Sequence, residues 1–253
     1  MKVLTVYVNP NPRSFCHAIL EQFTRGLKDA GHESEVIDLY AIKFDPVLKP
    51  RDAPGWINES LPMEVLEGMD LKRQAIESAT NSFQRLAIKM MLRNKSTKDI
   101  VKMAWKLRPK DIIEQQEKVA RAQGLAFVSP IWFVGFPAIL KGWIERVYTA
   151  GFAFGLTKEG WKGDLQGRIP LLKHEKVQII STTLFNEESY KDGFEPAIKR
   201  LYDDFAFRFP GIKKVEHTYY YAVHGVGPEI RQSYLQNAYL LGKQFQVSKT
   251  VVL

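Results

Sequence analysis

Two turns in this 253-residue chain carry residues of the kind that grip a ligand. "PIWFVGFP", Pro130 to Pro137, sets Trp132, Phe133 and Phe136 beside Ile131, Val134 and Gly135, between two prolines. Loops are usually polar. Flat apolar side chains on a turn suit a flat apolar ligand, because aromatic faces gain from burial and stacking. Composition leaves a second reading equally open, in which the rings are core at the edge of a sheet. "VNPNPRSF", Val8 to Phe15, offers Asn9, Asn11, Arg13 and Ser14 at the start of a helical pattern. Exposed amides and the helix dipole there favour an anion such as a phosphate. An ordinary capped turn accounts for those residues just as well.

Several other chemistries find no support. The first turn has neither GxGxxG nor GxxxxGK[ST], which excludes the common dinucleotide and P-loop signatures. No GxSxG elbow points to a hydrolase. His17, His32, His174, His217 and His224 show no HExxH or other ligand spacing, so a metal site is unsupported. Cys16 is the sole cysteine, which rules out an intrachain disulfide and a CxxC site and suits a reducing cytoplasm. A helix N-terminus can acidify a thiol, but a small buried residue is the preferred reading of Cys16.

The elements that must position these turns alternate. "KVLTVYVN" (Lys2 to Asn9) reads as a strand buried on both faces, followed by a helix that Ser14 caps and Gly31 ends. Further strands are Ser34 to Tyr40, Gly124 to Pro130, Lys176 to Thr183 and Val215 to Val223. Helices follow the third at about Pro137 to Tyr148, the fourth at about Tyr190 to Phe205, and the fifth in "GPEIRQSYLQNAYLLGKQF". The fold class is therefore α/β: helices on both faces of a five-stranded parallel sheet of order 2-1-3-4-5. Ligands of such sheets lie at the carboxyl ends of the strands, where the order reverses. That places Asn9 to Ser14, Pro130 to Phe136 and Thr182 to Tyr190 around one crevice.

Residues from about 45 to 123 are too many for one crossover. The stretch from about Pro109 to Gln123 reads as the crossover helix, and about 56–108 as a helical insertion within a single domain, 1–253. Its amphipathic helices have basic polar faces, read as solvated ahead of a membrane-surface helix. The insertion is taken as a lid or dimer-contact element. The formal net charge is +8, which favours encounters with phosphorylated ligands. No zinc-finger spacing, RNP-type signature or dense Lys/Arg tract indicates nucleic-acid binding. The uncharged stretch Gly124 to Leu140 holds Pro130, Gly135 and Pro137 and is a strand, turn and helix rather than a membrane span. No signal peptide is visible, so the chain is expected in the cytoplasm.

"PIWFVGFPAILKGWIERVYTAGFAF" closely resembles the signature of the NAD(P)H:quinone oxidoreductases, the DT-diaphorase-like family, which implies a flavodoxin-like three-layer sandwich. "VNPNPRSFCHA", "IDLYAIKFDPVL" and "GFAFG" match further parts in order. The resemblance covers most of residues 2 to 52 and 111 to 190 and omits the helical insertion. It implies a tightly bound flavin, FAD or alternatively FMN, whose ring rests on Pro130 to Gly135. The backbone of Ile131, Trp132, Phe133 and Val134 would hold it. Asn9, Ser14, Phe15, Cys16 and Ala18 would contact phosphate and ribityl groups, with Arg13 facing the same anion, and Thr182 and Thr183 would hug the flavin edge. NADH or NADPH would donate hydride, and a quinone or similar acceptor would take it in a ping-pong cycle. A homodimer with the site at its interface is implied.

Two departures stand out. Leu184 and Phe185 replace the family's glycines, and Pro196 occupies the position of a catalytic histidine, which leaves Tyr190 as the remaining catalytic candidate. A flavin-binding electron carrier and a regulatory protein with vestigial catalysis are the alternatives.

Overall fold

Apolar runs in β1 (Lys2–Tyr7), β3 (Gly124–Pro130) and β6 (Lys176–Thr182) build the centre of a parallel sheet, and every residue of β3 and β6 is buried. The computed structural model describes residues 1–59 and 61–246. After β1 come α1 (Phe15–Asp29) and β2 (Glu33–Asp38), then α2 (Met63–Gly68), α3 (Leu71–Glu77), α4 (Ser82–Leu92) and α5 (Thr97–Lys106). The crossover helix α6 (Lys110–Arg121) precedes β3, and α7 (Ala138–Val147) follows it. Next are β4 (Phe154–Leu156), α8 (Lys158–Trp161) and β5 (Arg168–Pro170). After β6 the chain runs through α9 (Glu187–Ser189), α10 (Glu195–Ile198), β7 (Lys214–Tyr220) and α11 (Pro228–Lys243).

The sheet order is β2-β1-β3-β6-β7, all parallel, with Val3 opposite Gly124, Gly124 opposite Lys176 and Lys176 opposite Lys214. Counting only its own members, that is second, first, third, fourth, fifth. The sequence reading differs in detail: it lacks β4 and β5, which form a separate antiparallel pair.

The chain divides into two compact units. Unit 1 comprises Met1–Val47, Glu117–Glu145 and the chain from Leu172 onward; unit 2 comprises Leu48–Gln116 and Arg146–Leu171. In unit 1, α1 buries Cys16, Ile19, Leu20, Phe23 and Leu27, the recurrence of an amphipathic helix. Each large apolar side chain so buried contributes on the order of 1.5–3 kcal/mol. These residues join Val3, Tyr7, Ala126, Val128 and Ile180 in one core. Helix α11 closes on α1 with almost no gap: a Cβ on Gly26 would lie 2.0 Å from the Tyr239 carbonyl oxygen, and one on Gly242 would lie 2.1 Å from that of Phe23. Within unit 1, Phe127 packs edge-on to Trp143 and against Phe207, with centroids 6.0 and 4.7 Å apart.

The helix expected after β6 is less regular than its periodicity suggests. Wider π-type turns occupy Tyr190–Phe194 and Lys199–Arg208, and Gly193 breaks the first with φ of 151°. Asp203 in the second turn is buried against the sheet. Its carboxylate lies 2.9 Å from His217 Nδ1, while Ser181 Oγ lies 2.8 Å from His217 Nε2. A neutral ring with its proton on Nδ1 satisfies both contacts. Ser181 and the His217 side chain are fully buried, so this triplet fastens the helix to β6 and β7 and exposes no nucleophile.

Unit 2 has its own small core, formed by Leu61, Leu66, Leu71, Leu92, Ile100 and Val101. Arg146 is buried there, with Nε and Nη2 each 3.0 Å from the Asp52 carboxylate and Nη2 also 3.0 Å from Asp111. Burial pushes the Asp52 carboxyl up, but Arg146 and the Lys49 amide outweigh it and leave the group below its usual range. Arg146, the last charge of the signature helix, is thus a structural ion-pair partner. Among the described residues no helix is long and apolar enough to cross a membrane. No group of three or more His, Cys, Asp or Glu is placed to hold a metal among them either.

Candidate functional site

Three loops meet at the carboxyl ends of β1, β3 and β6. The loop after β3 leaves the sheet through the Ile131 amide, which donates to the Thr182 carbonyl at 2.8 Å. It then folds into a tight reversal, with Trp132 and Gly135 exchanging backbone hydrogen bonds of 2.9 and 3.2 Å. The two central residues, Phe133 and Val134, have φ of 47° and 68°. Both lie in the left-handed region, as type I′ turns require, yet neither is the glycine or asparagine such turns favour. Their amides make no hydrogen bond among the described residues. Phe133 is 104% exposed, and Trp132 and Val134 are also exposed, so the aromatic corner is not core. Phe136 is the exception: it is buried, stacks on Tyr202 with centroids 3.9 Å apart, and its amide donates to the Tyr202 hydroxyl at 3.1 Å.

The first turn is shaped by its asparagines. Asn9 Oδ1 accepts from the Asn11 amide and Asn11 Oδ1 from the Arg13 amide, both at 2.9 Å. Ser14 is the N-cap, its Oγ accepting from the His17 amide at 3.1 Å. Arg13 is exposed, while Ser14, Phe15 and Ala18 are half-buried. Burial pushes the Cys16 thiol up to about 12, against the smaller pull of the Thr182 and Asn9 side chains. Cys16 is thus a buried thiol that stays protonated near neutrality. Arg231 of α11 also reaches this corner: its guanidinium lies 5.6 Å from the Phe15 ring centre and donates to the Val223 carbonyl at 2.7 Å. The Arg231 Nε is buried and unpartnered among the described residues.

At the third loop Thr182 and Thr183 are buried. The Thr183 hydroxyl donates to the Phe185 carbonyl at 2.8 Å, so it shapes the turn that exposes Leu184 and Phe185. Tyr190 is buried among Phe194, Tyr219 and Tyr221, with ring centres 5.8, 6.3 and 5.9 Å away. Burial raises its pKa, which keeps the phenol protonated near neutrality.

Sequence reasoning missed Tyr221 and Glu195. The Tyr221 hydroxyl donates to Glu195 Oε2 at 2.7 Å, and Lys199 pairs with the same carboxylate. Burial pushes the Glu195 carboxyl up, but Lys199 and Tyr221 more than reverse this, and it stays ionised at neutral pH. Glu195 immediately precedes Pro196, and that adjacency was the available signal. Arg231 carried none, being one cation among many.

Set beside known proteins, this geometry has relatives. A family model described as "Flavodoxin-like fold" matches residues 1–240, and the chain belongs to that family. It is 27% identical over 244 residues to NAD(P)H dehydrogenase [quinone] 1 of Cavia porcellus, covering 92% of this chain and 73% of that protein. The solved NAD(P)H:quinone oxidoreductase from Methanothermobacter marburgensis superposes with a TM-score of 0.68 at 24% identity, over 97% of this chain and 99% of the other. An FMN-dependent NADH-azoreductase from Bacillus anthracis gives a TM-score of 0.60 at 16% identity, over 95% and 97%. The chain spans only 52% to 61% of several other curated relatives that it matches. The resemblance to the quinone oxidoreductases drawn from Pro130 to Phe154 is upheld by these relatives' names and by the shared fold.

Proposed function

We propose that this chain binds a flavin at the carboxyl ends of β1, β3 and β6, and passes hydride from NADH or NADPH to quinones or similar acceptors, one substrate leaving before the next enters. The observation that carries the proposal is the turn at Phe133 and Val134. Left-handed backbone at two bulky residues costs about 1–3 kcal/mol each. Such strain persists where a site uses it, and here it accompanies two unengaged amides beside an exposed aromatic face. A planar ring with a polar edge fits that combination, since the rings supply stacking and the amides supply fixed donors.

When bound, a flavin supplies the hydride-accepting chemistry, and the protein orients and shields it. Of the four amides assigned to this role from the sequence, those of Ile131 and Trp132 are engaged within the protein. Phe133 and Val134 remain to stabilise negative charge at the ring edge. The N-terminus of α1 with Asn9, Arg13 and Ser14, joined by Arg231, holds the phosphate end. Tyr190, protonated and with no hydrogen bond from its hydroxyl among the described residues, donates at the reacting edge. The Tyr221–Glu195 pair stands where the family's histidine is lost. FMN fits ahead of FAD, in keeping with the FMN-dependent relative. A homodimer belongs to the same proposal.

The test is spectroscopic. The purified chain should be yellow or take up FMN, NAD(P)H should bleach it within seconds, and a quinone should restore the colour. Tyr190→Phe should slow the bleaching tenfold or more with flavin still bound. Colour without bleaching would assign an electron carrier, and rejection of both flavins would assign a regulator. Mass spectrometry of released cofactor separates FMN from FAD.

A further inference from the structure

Helix α4 turns apolar side chains in two opposite directions. Leu92 is buried in the core of unit 2, and Ile88 packs against that core. At 100° per residue the far side of the helix carries Phe83, Leu86, Met90 and Met91, which are 84%, 57%, 71% and 51% exposed. Arg85, Lys89 and Arg93 run down the flank between the two stripes, all exposed and none ion-paired among the described residues. From Ser78 to Lys98 the chain has five cations, adding Lys95 and Lys98, and no acid.

We propose that this outward face of α4 docks on an anionic membrane surface. An ordinary core helix has one apolar stripe, and a second, solvent-exposed one marks an interaction site. Its pattern is that of helices that lie in a bilayer interface: large apolar side chains enter the boundary between headgroups and acyl chains, and cations beside them meet lipid phosphates. At 11 residues α4 is about 16 Å long, enough to lie along a bilayer but not to cross it. A second copy of this chain is a poorer occupant. It would present the same stripe with the same cations and no acid from Ser78 to Lys98 to meet them, whereas an anionic leaflet satisfies both. The proposal stands apart from the redox reading, because it rests on unit 2 alone and its test needs no flavin.

The experiment is co-sedimentation of the full chain with phosphatidylcholine vesicles, with and without an equal part of phosphatidylglycerol. The chain should pellet with the anionic vesicles, stay in solution with the neutral ones, and be released by salt. Phe83→Ser combined with Met90→Ser should weaken binding about tenfold or more, as should Arg85→Gln with Lys89→Gln and Arg93→Gln. These residues are exposed, so both variants should melt as the parent does. No binding to anionic vesicles overturns the proposal, as does equal binding to both kinds or unchanged binding by the variants. A parent that self-associates in solution, is dispersed by the Phe83→Ser and Met90→Ser changes and ignores vesicles assigns the face to a second copy instead.

Discussion

Phe133 and Val134 hold backbone angles that a glycine adopts without strain. Replacing Val134 by glycine should therefore stabilise the flavin-free protein by about 1 kcal/mol. The same change should weaken flavin binding, since a relaxed turn no longer fixes the two amides. Urea denaturation and a flavin titration of the same variant check the two opposite signs. The sequence displayed the aromatic corner openly, because apolar rings between prolines are conspicuous. It did not display the left-handed turn, as neither central residue is one that such turns select; the surrounding fold overrides local preference here. Tyr221 escaped notice for a related reason. "HTYYYAV" satisfies a strand pattern so well that nothing marks which tyrosine leaves the sheet and meets Glu195.

At the level of elements, α1 and α11 depend on two glycines for their approach. Gly242→Ala would drive a methyl into the Phe23 carbonyl and force the helices apart. The expected cost is about 1–3 kcal/mol, read as a lower urea midpoint. The strands and most helices were legible because period-3.6 patterns alternate with short apolar runs. Which helix faces meet was not, since periodicity reports a buried stripe and not its partner. The π-type turns after β6 were likewise hidden. Their widening serves the buried contact of Asp203 with His217, made by residues 14 apart in the chain.

Over the whole molecule, the histidines set the response to mild acid. Burial lowers the pKa of His174 and His217, and burial together with the neighbouring N-terminal ammonium lowers that of His32. Each takes up a proton more readily when unfolded. Their contribution to stability is therefore full above the unfolded value of about 6.5 and is lost as pH falls below it. The melting temperature should drop between pH 7.5 and 5.5, a window above the carboxylates. His174→Gln, which keeps a donor for the Val119 carbonyl, should flatten part of that slope. Excess length between β2 and β3 signals extra elements there, and α2 to α5 occupy it. The excursion through β4 and β5 is not legible, because "GFAFG" reads as a further part of the family resemblance.

The partition of the chain also orders events during synthesis. By Leu171 the ribosome has delivered every residue of unit 2, while unit 1 still lacks β6 and β7. Until β6 is made, the β3 edge of the sheet has no strand to pair with on that side.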